Sequence, residues 1–182
     1  MKALLDACVL YPTVLREILT GVAAQGLYTP LWSDRILEEW ARATRKLGPG
    51  AEEIARGEIA TLRASFPKAM VAERAGLAAR LHLPDANDIH VLAAAIAGGA
   101  DAIVTFNAAD FPRQALAEEG IARLDPDRFL MELWLSAPDP VAAVVERVRA
   151  RAEELSGEAQ PLRPLLKRAK LPRLGKALTL AS

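Results

Sequence analysis

The sequence predicts an α/β protein built on a parallel sheet, and three observations carry that prediction. Short apolar runs of strand length, Ala3–Val9 and Ala102–Phe106, are too brief for helices and too uniformly apolar for a half-exposed strand. Segments of helical period lie between them, each closed by Gly or Pro. Strands and helices alternate, which favours a parallel sheet covered on both faces, a three-layer α/β/α sandwich.

The elements follow in order. Asp6 interrupts the first apolar run. Pro12 opens a helix through Val14, Leu15, Ile18 and Leu19. A second strand is expected at Leu27–Leu31, and Ser33 is placed to cap a helix from Asp34 to Leu47. At about 100° per residue, Ile36, Trp40, Ala43 and Leu47 form its buried stripe. Glu39 then borders that stripe, while Glu38 points away from it. Gly48-Pro49-Gly50 ends this helix, and residues 51–64 form another. The turn Leu83–Asp88 feeds a helix over His90–Ala97, stopped by Gly98-Gly99. After the 102–106 strand come the loop Asn107–Pro112, a short helix at Arg113–Glu119 and a strand near Ile121–Leu124. Beyond Ala137 the pattern is helical only. The expected division is a domain over 1–136 and a helical, basic extension over 137–182.

The 182 residues include 52% hydrophobic and 25% charged residues, the balance of a packed globular chain. Lys+Arg and Asp+Glu both number 23, so overall charge gives no argument for nucleic acid. The distribution does matter. Residues 161–182 carry Arg163, Lys167, Arg168, Lys170, Arg173 and Lys176 and no acid, leaving residues 1–160 with a net charge of −6. The single cysteine, Cys8, excludes a disulfide framework and a multi-thiolate zinc site. His82 and His90 are too few for a histidine-rich metal centre. No run approaches the roughly 18–20 apolar residues of a membrane span, and Asp6 breaks any secretory core, so a cytoplasmic location is expected.

The carboxylates carry the chemistry. In a parallel sheet, ligands gather at the carboxyl ends of the strands. Asp6 lies in the first run, and Asn107 and Asp110 directly follow the 102–106 strand. If those strands are neighbours, the three converge, with Asp88 added from the preceding helix. Asp6 among apolar residues needs a partner or a cation, because an isolated buried carboxylate costs several kcal/mol. Asp85 and Asp88 also fit a helix cap, Asp110 an Asx turn, and Glu39 a pair with Arg35 or Arg42. Clustered oxygens with little histidine or thiol suit Mg²⁺ or Mn²⁺, cations that clamp phosphates and promote phosphodiester hydrolysis. No P-loop and no Gly-x-Ser-x-Gly elbow is present. Cys8 and the three tryptophans read as core or interface residues.

Taken together, several blocks resemble the PIN-domain ribonucleases and, within them, the VapC-like toxins. They are Leu4-Leu5-Asp6, Ile36-Leu37-Glu38-Glu39-Trp40 with Arg42, the stretch Leu83-Pro84-Asp85-Ala86-Asn87-Asp88 running on to Ala95, and Ala100–Asn107 with Asp110-Phe111-Pro112. The resemblance covers roughly residues 1–130. It implies a central parallel sheet with an acidic pocket in which Asp6, Glu39, Asp88 and Asp110 are catalytic. Asp6, Asp88, Asn107 and Asp110 would be metal ligands, supported by Asp85 and Thr105. Asn107 stands where many relatives carry an aspartate.

The implied activity is an endoribonuclease using Mg²⁺ or Mn²⁺, with RNA as substrate, a cognate antitoxin as partner and homodimers as a common state. Arg42, Lys167, Arg168 and Lys170 are candidates for the RNA backbone. Two other classes stay open: a non-catalytic nucleic-acid or protein-binding module on the same scaffold, and a metal-dependent phosphatase acting on small esters.

Overall fold

The computed structural model of the chain describes residues 1–181. It opens with β1 (Lys2–Leu5), shorter than the apolar run that predicts it. Asp6 divides that run. Its backbone is extended and its carbonyl accepts the N–H groups of Val9 (3.1 Å) and Leu10 (3.3 Å), so the chain turns into the one-turn helix α1 (Ala7–Leu10). The helix α2 (Thr13–Ala24) and strand β2 (Thr29–Ser33) follow, the strand starting two residues later than expected. Ser33 caps α3 (Asp34–Ala43) as anticipated, its hydroxyl accepting the Ile36 N–H at 3.3 Å.

The buried stripe of α3 differs from the predicted one. Ile36, Leu37, Trp40 and Ala41 are buried, whereas Ala43 is exposed and Leu47 is 67% exposed. The helix tightens into a 3₁₀ turn at Thr44–Leu47, which rotates Leu47 off the expected face. Because Leu37 and Ala41 are part of the stripe, Glu38 and Glu39 both lie at its half-buried borders, so Glu38 does not point fully into solvent as the expected stripe implies.

The helix α4 (Ala51–Ser65), strand β3 (Met70–Val71), helix α5 (Ile89–Gly98), strand β4 (Ala102–Val104), helix α6 (Arg113–Glu118) and strand β5 (Ala122–Leu124) come next. Gly99 ends α5 in the left-handed conformation (φ +62°). The sheet order is β3-β2-β1-β4-β5, with every pair parallel. Leu4 lies opposite Leu31 on one side and Ile103 on the other; Leu5 lies opposite Val104. Ala3, Leu4, Leu5, Ile103 and Val104 have no exposure at all, as the near-continuous apolar strands of a parallel sheet require. The helix α5 lies against β1, β2, β3 and β4. Its last residue, Gly98, sits so close to β2 and β3 that an added Cβ would come within 2.9 Å of both Leu31 and Val71. The architecture is the expected α/β/α class with a central parallel sheet, extended by C-terminal helices. No helix among the described residues is long and apolar enough to cross a membrane.

The chain forms two compact units. One comprises Met1–Tyr11 and Thr29–Leu124 and holds the whole sheet. The other joins Pro12–Tyr28 to the chain from Asp125 onward: α2 with α7 (Pro126–Ser136), α8 (Pro138–Ser156), α9 (Leu162–Arg168) and α10 (Pro172–Ala181). In this second unit Gly21 of α2 passes beneath Val144 of α8, where a Cβ would meet Val144 Cγ1 at 2.7 Å. Tyr28 packs edge-on against Phe129 at 4.9 Å and donates its hydroxyl to the Leu19 carbonyl (2.9 Å).

One buried carboxylate fixes the last helix. Asp127 of α7, only 5% exposed, accepts the N–H groups of Arg173 (2.9 Å) and Leu174 (3.0 Å). Those are the first donors of α10, because Pro172 at the opening position has no N–H to satisfy. Asp127→Ala is expected to cost about 1–2 kcal/mol. Thermal unfolding by circular dichroism should show a midpoint lowered by roughly 2–8 °C.

Candidate active site

The parallel pairing of β1 with β4 brings the chain ends beyond both strands to one edge of the sheet. Asp6, immediately after β1, is 7% exposed. Its backbone N–H extends the ladder to the Val104 carbonyl (3.2 Å). Its Oδ2 accepts the Thr105 hydroxyl at 2.7 Å and the Cys8 thiol at 3.1 Å. Thr105, itself 3% exposed, also accepts the Asn107 N–H at 2.9 Å and so ties the loop after β4 to the same carboxylate.

The loop continues the network. Asn107 Nδ2 donates to Asp88 Oδ2 at 3.0 Å, while its Oδ1 faces the Asp110 N–H at 3.4 Å. Both polar ends of this amide therefore bond within the acidic cluster. Asp85 Oδ1 accepts the Asn87 backbone N–H (2.8 Å) and side-chain amide (2.9 Å), capping the 3₁₀ turn Ala86–Asp88. That turn holds Asp85 and Asp88 on one side. One oxygen each from Asp85, Asp88 and Asp110 can be chosen so that all lie within 4.8 Å of one another.

This crowding has an electrostatic consequence. Burial pushes the Asp88 carboxyl up to about 6, and the negative charges of Asp6, Asp85 and Asp110 add to the effect. Three half-buried carboxylates at this spacing form a hard-oxygen donor set able to hold a divalent cation.

Glu39 stands apart from the three-carboxylate group. Its Oε1 lies 3.4 Å from Arg35 Nε and 2.8 Å from His90 Nε2. The imidazole is nearly buried and the close approach to Glu39 lacks hydrogen-bond alignment. The i,i+4 pair with Arg35 is the arrangement that helical spacing anticipates. Arg42 pairs instead with Glu38 (2.7 Å), which also receives Arg56; the two guanidiniums, Arg56 foremost, hold the Glu38 carboxyl down at about 2. Lys167, Arg168 and Lys170 belong to the second unit.

Cys8 is the participant that its apolar neighbours conceal. Reading it as core overlooks its place two residues beyond a strand-ending aspartate, where a helical turn folds its thiol back onto Asp6. Burial and the Asp6 charge push its thiol up to about 12.

A family model described as a PIN domain matches residues 2–109. The chain belongs to the PIN-domain family. Neither a curated protein nor a solved structure is significantly similar to it. PIN domains are generally nucleases and typically use divalent metals, which accords with the oxygen-rich cluster. The matched span contains Asp6, Glu39, Asp85, Asp88, Thr105 and Asn107 and stops one residue before Asp110.

The raised Asp88 carboxyl makes the metal-free PIN domain sensitive to pH in a definite direction. The folded protein holds this proton more tightly than the unfolded chain does, so the associated stability is complete below about pH 4 and lost as pH rises through about 6. Asp88→Asn removes that loss. In EDTA, the variant should melt above the wild type at pH 7–8, and the two curves should converge near pH 4.

Proposed function

We propose that this PIN domain is a Mg²⁺- or Mn²⁺-dependent endoribonuclease and the toxin of a toxin–antitoxin pair. The supporting observation is the grouping of Asp85, Asp88 and Asp110 beside Asp6, at the strand ends where a PIN-type nuclease needs its acids. The donor set fits a divalent cation: its atoms are carboxylate and amide oxygens, and their mutual repulsion is what a cation relieves. In this reading Asp88, Asp110 and Asp6 hold the cation, with Asn107 and Asp85 contributing to the same oxygen set. The bound cation supplies charge stabilisation for hydrolysis of an RNA phosphodiester.

The chain's own side chains supply the remainder. Thr105 and Cys8 both donate to Asp6 Oδ2, which fixes the carboxylate's orientation and leaves Oδ1 the freer oxygen. Asn107 holds Asp88 to the loop that carries Asp110. Glu39, with Arg35 and His90 beside it, is the acid assigned to orienting the attacking water. The antitoxin, a homodimeric state and a cytoplasmic location belong to the same reading and rest on the family resemblance.

The deciding experiment is cleavage of a mixed pool of labelled structured RNAs with Mg²⁺ or Mn²⁺, with EDTA, and with Asp6→Asn in parallel. Cutting should require metal and fall at least about 100-fold in Asp6→Asn, whose circular dichroism should match the wild type. Thr105→Val, which removes only the orienting hydroxyl, should lower the cleavage rate about 10–100-fold. Full activity in a folded Asp6→Asn protein would sink the assignment. Absence of both cleavage and calorimetric metal binding would favour a binding module on the PIN scaffold.

A further inference from the structure

The second unit carries a charge feature that the acidic site does not use. A groove of about 740 Å³ opens between α9 and α10, lined by Arg163, Pro164 and Lys167 on one wall and Pro172, Arg173 and Lys176 on the other. All four cations are exposed, and among the described residues none of their side chains has an anionic partner. Among the described residues no acidic side chain lines the groove. Its shape follows from packing. Gly175 lets α10 approach α9 closely, since a Cβ there would meet Leu166 Cβ at 3.1 Å. Leu165, Leu166, Leu171, Leu174 and Leu178 are buried beneath, leaving the basic residues on the opposite faces of the two helices.

The spacing is regular. Arg163 and Lys167 stand at i,i+4 and Arg173 and Lys176 at i,i+3, so each wall presents two cations as near neighbours on one helix face. The start of α10 is not available to an anion, because Asp127 already occupies its free N–H groups. The site therefore acts through side-chain charge. Of the two other basic residues of this segment, Arg168 is engaged elsewhere, bonding Gln160 at 2.6 Å.

We propose that this groove is a docking site for the phosphate backbone of RNA, through Arg163, Lys167, Arg173 and Lys176. The inference rests on the nuclease reading, which makes the chain's substrate a polyanion. Four cations without an aromatic stacking partner fit sequence-independent backbone contact, which sets affinity and register while leaving base choice to other contacts.

The test uses the full-length chain in EDTA, so that binding is read without cleavage. A labelled single-stranded RNA of mixed sequence is titrated at several salt concentrations against wild type and the Arg163→Ala/Lys167→Ala/Arg173→Ala/Lys176→Ala variant. All four sites are solvent-exposed helical positions suited to alanine, and thermal melts verify the fold. The slope of log affinity against log salt should become shallower by about 0.7 for each cation removed, roughly 3 in total. A Lys167→Arg/Lys176→Arg variant, which keeps the charges, should retain the wild-type slope. An unchanged slope in the alanine variant overturns the proposal. So does a polyglutamate of equal charge that binds as tightly and loses affinity in the same variant, because the groove would then be a surface for acidic polypeptides. Failure of the nuclease reading looks different: wild type cuts no RNA with any metal, yet the slope still changes.

Discussion

The pairing of β1 with β4 is the constraint on which the site depends. These strands are distant in sequence, and only their parallel register places Asp6 and Thr105 side by side as each strand ends. A one-residue slip would turn every side chain of β1 to the opposite face. It would draw Lys2 or Asp6 into the apolar positions that Ala3 and Leu5 fill. The apolar core therefore sets the position of the acid. The hydroxyl of Thr105 then sets its orientation, and its acceptance of the Asn107 N–H carries that order into the loop beyond.

The acidic cluster illustrates a cost borne by local structure. Asp85 caps a short turn, Asp88 enters the next helix, and Asp110 follows a strand; each placement is reasonable alone. Together they concentrate negative charge near Asp6, and burial with that repulsion raises the Asp88 carboxyl to about 6. A site arranged only for stability would place a cation there from the chain itself. The arginines nearby are engaged otherwise: Arg35 faces Glu39 and the Asn87 carbonyl, while Arg123 bonds the Ala108 and Phe111 carbonyls.

Much of this architecture was readable from residue patterns. Ala102–Val104 and Leu4–Leu5 are apolar because both faces of the strands are covered, and that is what made them recognisable. Ser33 before a helical period and the Gly98-Gly99 stop were equally local signals. What escaped was decided by tertiary packing or by very few residues. Met70–Val71 is too short to show any period, yet it completes the sheet edge beside β2. The helix α7 was missed although its start is a local signal, Asp125 followed by proline, with the Asp125 carboxylate accepting the Arg128 N–H at 3.0 Å. The stripe of α3 was misplaced because Leu37 and Ala41 face inward where Ala43 and Leu47 were expected; the 3₁₀ turn after Ala43 accounts for Leu47 alone. At the site, the convergence of Asp6 with the 105–110 loop followed from recognising two strands. The inclusion of Asp85 in the three-carboxylate group followed instead from the turn it caps.

The thiol beside Asp6 has a consequence for handling and for the environments the protein tolerates. Reactivity toward oxidants and alkylating agents belongs to the thiolate, and burial with the Asp6 charge keeps Cys8 in its thiol form at neutral pH. Cys8 thus sits within hydrogen-bond reach of the central acid while being chemically quiet. A cysteine in that position would ordinarily expose the site to peroxide or disulfide exchange. Here burial, with the Asp6 charge adding to it, holds the proton on the sulfur, so Cys8 serves the acid as a hydrogen-bond donor.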